Sequence, residues 1–349
     1  MKHQTTRYGE IPFYKIGTFG NTADAFISKK LFLEYKTKYS FPKKGDILIS
    51  ASGTIGRAVI YDGKPAYFQD SNIVWIDNDE TLVKNDFLFY AYSHVKWNTE
   101  HTTILRLYND NFRNTLIPLP PLNEQSTIAN ILSTLDRYLY ALDSIILKKE
   151  SVKKALSFEL LSQRKRLKGF NQAWQRVRLG DIANYLTSNL SAEQITQQGK
   201  IKVYDVNNFI GYTDTTFISD KPYISIVKDG SVGRVRILPP KTNILSTMGA
   251  LIANHRTTTE FLFYLLSNFD FKNFTSGSII PHIYFKDYKE KTIFLPPLNE
   301  QSAIANILSA LDNEITSLKN KKRQFENIKK ALNHDLMSAK IRVLKKSVL

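Results

Sequence analysis

The sequence predicts an α+β protein: two mixed, strand-rich globules separated by two long helices that pair as an antiparallel coiled coil. Three observations predict it. Eighteen residues, "LPPLNEQSTIANILSTLD" at 119–136, return as "LPPLNEQSAIANILSALD" at 295–312, differing only at Thr127/Ala303 and Thr134/Ala310. Behind each copy, apolar residues recur at alternating spacings of four and three. Ahead of each copy run short β-branched and aromatic stretches closed by Gly or Asp. A repeat at an offset of 176 residues is a duplicated domain plus connector, since solenoid units repeat every 20–50 or so.

The first globule takes residues 1–118. "GDILISA" (45–51), "AVIYDG" (58–63) and "SNIVWID" (71–77) read as strands. "DFLFYAYSHV" (86–95) reads as a short helix packed on its own sheet. The first spacer helix takes residues 119–171. Two prolines, Pro120 and Pro121, cannot sit inside a helix, so they mark its entry, with Asn123 as N-cap and Glu124 at the positive end of the dipole. Ile128, Leu132, Leu135, Leu139, Leu142 and Ile146 form a 3.5-residue stripe, continued by Val152 and Leu156. Gly169, in "KGFN", suits a left-handed C-terminus.

The second globule, 172–294, repeats the plan with "KVYDV" (202–206) as a strand and "EFLFYLLSNF" (260–269) as a helix. The second spacer, 295–349, is entered through Pro296, Pro297, Asn299 and Glu300. Its stripe is Ile304, Leu308, Leu311, Ile315, Leu318, Phe325, Leu332 and Leu336. One such helix buries too little to stand alone. Two with matched stripes most simply pack on each other, antiparallel if the halves are related by a twofold, with one globule at each end.

Composition narrows the chemistry. The 349 residues include no cysteine, which excludes a disulfide scaffold, a thiolate metal site and a cysteine nucleophile. No apolar run reaches the roughly 18 residues of a membrane span, and "MKHQTTRYGE" lacks the apolar core of a signal peptide, consistent with a cytoplasmic protein. Lys+Arg number 48 against 32 Asp+Glu, and the resulting +16 favours a polyanionic partner.

Catalytic marks are missing. "LPPL" has the twin prolines of an amino-methyltransferase tetrapeptide but neither its Asn/Asp nor its aromatic, and it opens a helix. Asp24, Glu34 and Lys36 have a spacing a metal-dependent nuclease would permit, with nothing else in support. There is no GxxxxGK[ST] loop, and His3, His94, His101, His255, His282 and His334 show no ligand spacing. No catalytic or metal-binding residue is therefore assigned.

Recognition chemistry remains. "GTIGR" (53–57) and "GSVGR" (230–234) place two glycines in a turn between strands, with a hydroxyl at the tip (Thr54, Ser231) and an arginine leaving it (Arg57, Arg234). Arg236 follows in the second copy. Arginine can fork onto guanine or phosphate, though an ordinary hairpin with a solvated arginine would look the same. "TTILRLYNDNF" (102–112) carries Arg106, Tyr108 and Asn109, and "GSIIPHIYFKDY" (277–288) carries His282, Tyr284 and Lys286. These are base-edge or phosphate partners, or plain strand-and-turn surface.

With both "LPPLNEQ" entries, the helices behind them and the "GTIGR"/"GSVGR" turns in place, the chain resembles the specificity (S) subunits of type I restriction–modification systems over essentially its whole length. The resemblance implies two target recognition domains, each reading half of a split double-stranded DNA site. It implies spacer helices that set the gap and dock two methyltransferase (M) subunits, joined by restriction (R) subunits. The chain would bind no cofactor itself; S-adenosylmethionine, ATP and Mg belong to the partner subunits. There is one departure. The second globule has "WQRVRLGDIANYLTSNLSAEQITQQGKI" (174–201) before "KVYDV", whereas the first has eleven residues before "PFYKI" (12–16). Roughly 15–20 residues, including a first strand, have no counterpart there. The competing reading is a helical scaffold whose globules bind protein or RNA; a salt-dependent duplex-DNA gel shift separates the two.

Overall fold

The computed structural model describes residues 4–68, 72–97 and 106–343. Contacts divide the chain into two units, Met1–Asp143 with Lys321–Leu349, and Ser144–Asn320. Each long helix thus contributes one part to each unit.

In the first unit, β1 (Ile11–Tyr14) pairs antiparallel with β2 (Ala25–Ile27) and parallel with β5 (Tyr67–Phe68). Helix α1 (Lys29–Lys38) follows β2, its first turn capped by the Ser28 hydroxyl accepting from Leu31 N–H at 3.2 Å. A second sheet has the order β4–β3–β6, where β3 is Ile47–Ser50, β4 is Ala58–Ile60 and β6 is Ile73–Trp75. β3 is buried at every position, as a continuous apolar run flanked on both edges should be. Helices α2 (Asn85–His94) and α3 (Asn109–Arg113) complete the globule before α4 (Leu122–Leu161).

The second unit repeats this with additions. β9 (Ile201–Tyr204) pairs antiparallel with β10 (Phe209–Thr213) and parallel with β13 (Thr242–Ile244), as β1 does with β2 and β5. β11 (Tyr223–Val227) sits between β12 (Val235–Leu238) and β14 (Met248–Ala253), as β3 sits between β4 and β6. The additions precede and flank this shared set. β7 (Gln175–Arg178) pairs with β17 (Thr292–Leu295), β8 (Ala183–Thr187) extends the sheet beyond β14, and β15 (Thr275–Ser276) pairs antiparallel with β16 (His282–Ile283). Helices α5 (Thr259–Ser267) and α6 (Phe285–Tyr288) match α2 and α3, and α7 (Leu298–Met337) matches α4. The predicted helices at 86–95 and 260–269 are α2 and α5.

One buried cluster in each unit seats its globule on the helices. In the first unit Phe87, Tyr90 and Ala91 of α2 pack on Ile128, Ala129 and Leu132 of α4 and on Leu336 and Met337 of α7. In the second, Phe261, Leu262 and Tyr264 of α5 pack on Ile304, Ala305 and Leu308 of α7 and on Leu160 of α4. The helices run antiparallel within each unit. Asp136 pairs with Lys329 and Asp143 with Lys322 in the first, while Lys149 pairs with Glu314 (2.8 Å) and Lys153 with Asp312 (2.5 Å) in the second.

Three local expectations change. Helix α4 ends at Leu161 and not near 168–171; Gln163 takes the left-handed turn (φ 62°), and Gly169 lies in the loop beyond. Helices α4 and α7 begin at Leu122 and Leu298, so Asn123 and Asn299 lie inside the first turn, each side chain accepting the next residue's N–H at 2.9 Å. Val152 leaves the stripe: it is 46% exposed, and the inward positions beyond Ile146 are the ion-paired Lys149 and Lys153, then Leu156, which packs on the core as predicted, and buried Ser157 and Leu160. A straight helix drifts off a 3.5-residue repeat, so a long stripe rotates out of the seam unless the helices supercoil to follow it.

Candidate nucleic-acid interface

The two glycine turns share one backbone design. In the first unit Gly56 N–H returns to Ser50 O (3.0 Å) and Ser50 N–H to Arg57 O (3.0 Å). In the second, Gly233 N–H returns to Val227 O (2.9 Å) and Val227 N–H to Arg234 O (2.9 Å). Gly56 and Gly233 have φ of 80° and 79°, and a Cβ on either would strike a neighbouring ring, Trp97 or Phe271. Both reasons require glycine.

The predicted recognition segment is tied to the turn in both units. A β-bridge joins Ser52 to Arg106, and Leu107 N–H donates to Ala51 O (2.9 Å). The second unit answers with an Asp229–His282 bridge and Ile283 N–H donating to Lys228 O (2.9 Å). The bridges bring the backbone at Arg106 to the foot of the first turn and that at His282 to the foot of the second. Residues 102–105, His3 and His101 lie outside the described residues.

The side chains on this shared frame differ. Thr54 and Ser231 are exposed at the tips. Arg57 is exposed, with Nη1 donating to Phe19 O at 3.0 Å. Arg234 donates to the Asn207 side chain and Arg236 to the Asn207 carbonyl, both at 2.9 Å, and Arg236 lies over the Tyr204 ring at 5.3 Å. The His282 ring nitrogen sits 2.6 Å from an Asp229 oxygen. Tyr108 and Tyr284 are exposed, Tyr284 with the Lys286 ammonium 5.6 Å from its ring centroid. Asn109 is exposed at the start of α3, whose first turn is capped by the Asn111 side chain accepting from Tyr108 N–H at 2.6 Å. A surface of aromatic faces, amide and hydroxyl groups and held guanidinium groups suits base edges and phosphates. Asn207, Asp229 and Tyr204 were not found from the sequence; Asp229, directly before the second turn, was the one with a positional signal.

Asp24, considered for a nuclease, is paired to Lys15 at 2.7 Å. Among the described residues no group of three or more His, Asp or Glu could hold a metal, and no helix is long and apolar enough to cross a membrane.

The helix entries resolve into a second repeated site. Behind Pro120/Pro121 and Pro296/Pro297, the glutamates are not simple dipole partners. Glu124 is 2% exposed and takes a bidentate pair from Arg342 (2.7 and 2.5 Å). Glu300 is 0% exposed and takes one from Arg166 (3.1 and 2.6 Å), plus the Trp174 indole N–H at 3.0 Å. In each unit the residue just past one helix grips the start of the other. The hydrogen bond from Arg342 holds the Glu124 carboxyl below its ordinary value. The glutamines latch the globule: the Gln125 amide donates to Leu82 O and Pro120 O and accepts from Lys84 N–H, while Gln301 donates to Arg256 O and Pro296 O and accepts from Thr258 N–H. Further along, Tyr90 donates to Asp136, which also pairs with Lys329, and Tyr264 donates to Asp312, which also pairs with Lys153.

Comparison with known proteins agrees with this duplicated plan. The family model described as "Type I restriction modification DNA specificity domain" matches residues 1–150 and 171–327. A putative type I restriction enzyme specificity subunit of Haemophilus influenzae is 65% identical over 133 residues, 38% of this chain and 34% of that one. The putative type I restriction enzyme MjaX specificity subunit of Methanocaldococcus jannaschii is 30% identical over 335 residues, 86% of this chain and 79% of that one. The crystal structure of a type I restriction–modification S subunit from M. genitalium has the same fold: TM-score 0.65 at 20% identity, over 97% of this chain and 91% of that one. By sequence over most of its length, this chain belongs to the type I restriction–modification DNA specificity family.

Proposed function

We propose that this chain is the DNA sequence-specificity subunit of a type I restriction–modification complex and does no chemistry itself. Each unit reads one half of a bipartite duplex site through its glycine turn and the segment bridged to it. The observation that carries this reading is the pairing of like frame with unlike side chains. The same backbone hydrogen bonds recur in both units and Tyr108 answers Tyr284, whereas Arg106 is answered by His282, Asn109 by Phe285 and Asp110 by Lys286. Readers of two different words need a common scaffold and different edges.

The helices set the separation of the two words and dock two M subunits, with R subunits joining those. S-adenosylmethionine, ATP and Mg act on those partners, in the cytoplasm. The near-identity of the helix entries supports two equivalent docking places, since two copies of one partner require two matching surfaces.

The test is methylation mapping. Expressed with the M subunit encoded in its own system, the chain should direct methylation to a split site of two short words with a constant gap. Methylation of one continuous short site would remove the two-reader model. Absence of any salt-dependent preference for duplex DNA in the assembled complex would favour a protein- or RNA-binding scaffold.

A further inference from the structure

In both units the arginine that leaves the glycine turn is braced from the same place in the fold. That place is the connection between β1 and β2 in the first unit and between β9 and β10, their counterparts, in the second. In the first unit the brace is main chain: Arg57 Nη1 donates to Phe19 O at 3.0 Å. In the second it is a side chain: Arg234 Nη2 donates to Asn207 Oδ1 at 2.9 Å. Asn207 sits on a fixed tip, residues 205–208. Asp205 Oδ1 accepts the N–H groups of Asn207 (2.8 Å) and Asn208 (2.7 Å), and Asp205 N–H donates to Asn208 O (3.0 Å). The Asn207 carbonyl is gripped by Arg236 Nη1 (2.9 Å), whose guanidinium lies over the Tyr204 ring. Among the described residues neither arginine is paired with a carboxylate, and the Asn207 amide nitrogen has no acceptor. Arg234 and Asn207 are both exposed.

We infer that Arg234 reads a guanine in the word of the second unit and that Asn207 is the residue that positions it; this rests on the DNA-reading role proposed above. A neutral amide brace leaves the guanidinium its full charge and takes away its freedom to turn. A phosphate contact needs only the charge, whereas a forked contact with a base edge needs the orientation. The base follows from what the pair has left to offer. The Asn207 oxygen is already taken by Arg234, so Asn207 cannot give adenine the acceptor-and-donor pair that reading adenine requires. The unbonded groups of Arg234 and of the Asn207 amide are all N–H donors. Guanine alone presents two acceptors, N7 and O6, side by side in the major groove. Adenine and cytosine turn an amino group toward the donors, and thymine pairs its one acceptor with a methyl group.

The experiment maps methylation by the full chain assembled with the M subunit of its own system. The parent complex defines the split site; a continuous site from the parent would remove the DNA-reading role itself, a failure distinct from those of the variants. Arg234→Lys keeps the charge and loses the fork, and Asn207→Ala loses the brace. Each should relax a single guanine position in one word, lowering the preference for guanine there by about tenfold or more, with the other word and the gap unchanged. Asn207→Asp keeps the acceptor and should keep the guanine. In the parent complex, 7-deazaguanine at that position should slow methylation. Circular dichroism checks that the variants, all at exposed positions, fold as the parent does. The inference is overturned if the relaxed position is not a guanine, or if both variants methylate the parent word unchanged. It is equally overturned if Arg234→Lys or Asn207→Ala weakens methylation evenly across sequences, the mark of a phosphate contact.

Discussion

The buried glutamates show how one residue can have a role that spacing alone misassigns. At a helix start, Glu124 and Glu300 read as partners of the helix dipole, yet each is enclosed and bound by an arginine arriving from the end of the other helix. Removing the charge from such a pair strands its partner. Glu300→Gln should cost about 3 kcal/mol or more, because Glu300 is fully enclosed and also serves Trp174. Glu124→Gln should cost less, because half of the Arg342 side chain stays in water. Urea unfolding of the two variants measures the order; an equal loss would remove the distinction. The Glu124 carboxyl is depressed in the folded state, first by its hydrogen bond from Arg342. The pair therefore adds stability above the unfolded value of 4.5, and that contribution is lost as pH falls through the lower folded value. Arg342→Met should move the acid-unfolding midpoint to higher pH, and a midpoint that stays put would contradict the pairing.

At the scale of elements, most of the architecture was legible. The prolines placed the helix starts to within a residue, and β-branched and aromatic runs closed by Gly or Asp placed β3, β4, β6 and β9. Helix ends were less legible: with no proline to stop α4, Gly169 drew the boundary too far, whereas Gln163 takes the left-handed turn against its own steric preference. The stripe also misled at Val152, which is exposed while Lys149 and Lys153 face the partner helix because Glu314 and Asp312 meet them there, and it held again at Leu156. The turns were legible as turns, but their bridges to residues 106 and 282 were not, since a pairing over some 50 residues leaves no local pattern. The turns also carry a prediction. Gly56→Ala or Gly233→Ala forces a side chain into a positive-φ position and against an aromatic ring, and should destabilise by more than about 1 kcal/mol. Thermal unfolding would show this, together with weaker DNA binding in the reconstituted complex. An Ala variant as stable as the parent would mean that the turn tolerates a Cβ and is not held as described.

The whole molecule is two copies of one plan, with unlike exposed side chains on like frames. Exchanging residues 1–118 for the corresponding globule of a relative with a different specificity should alter one word of the methylated site and leave the other word and the gap unchanged. Methylation sequencing decides it, and a change in both words would show that the units do not read independently. The sequence by itself determined the duplication, the fold class and the absence of catalytic motifs, because these are written in composition, period and repeat. It placed the candidate side chains on turns and segments without saying which would meet. Only the tertiary structure decided that the glutamates and glutamines of the repeated phrase are clamps and that each turn is bridged to its own following segment. Those facts rest on contacts between residues far apart in the chain, and such contacts are set by packing, not by local pattern.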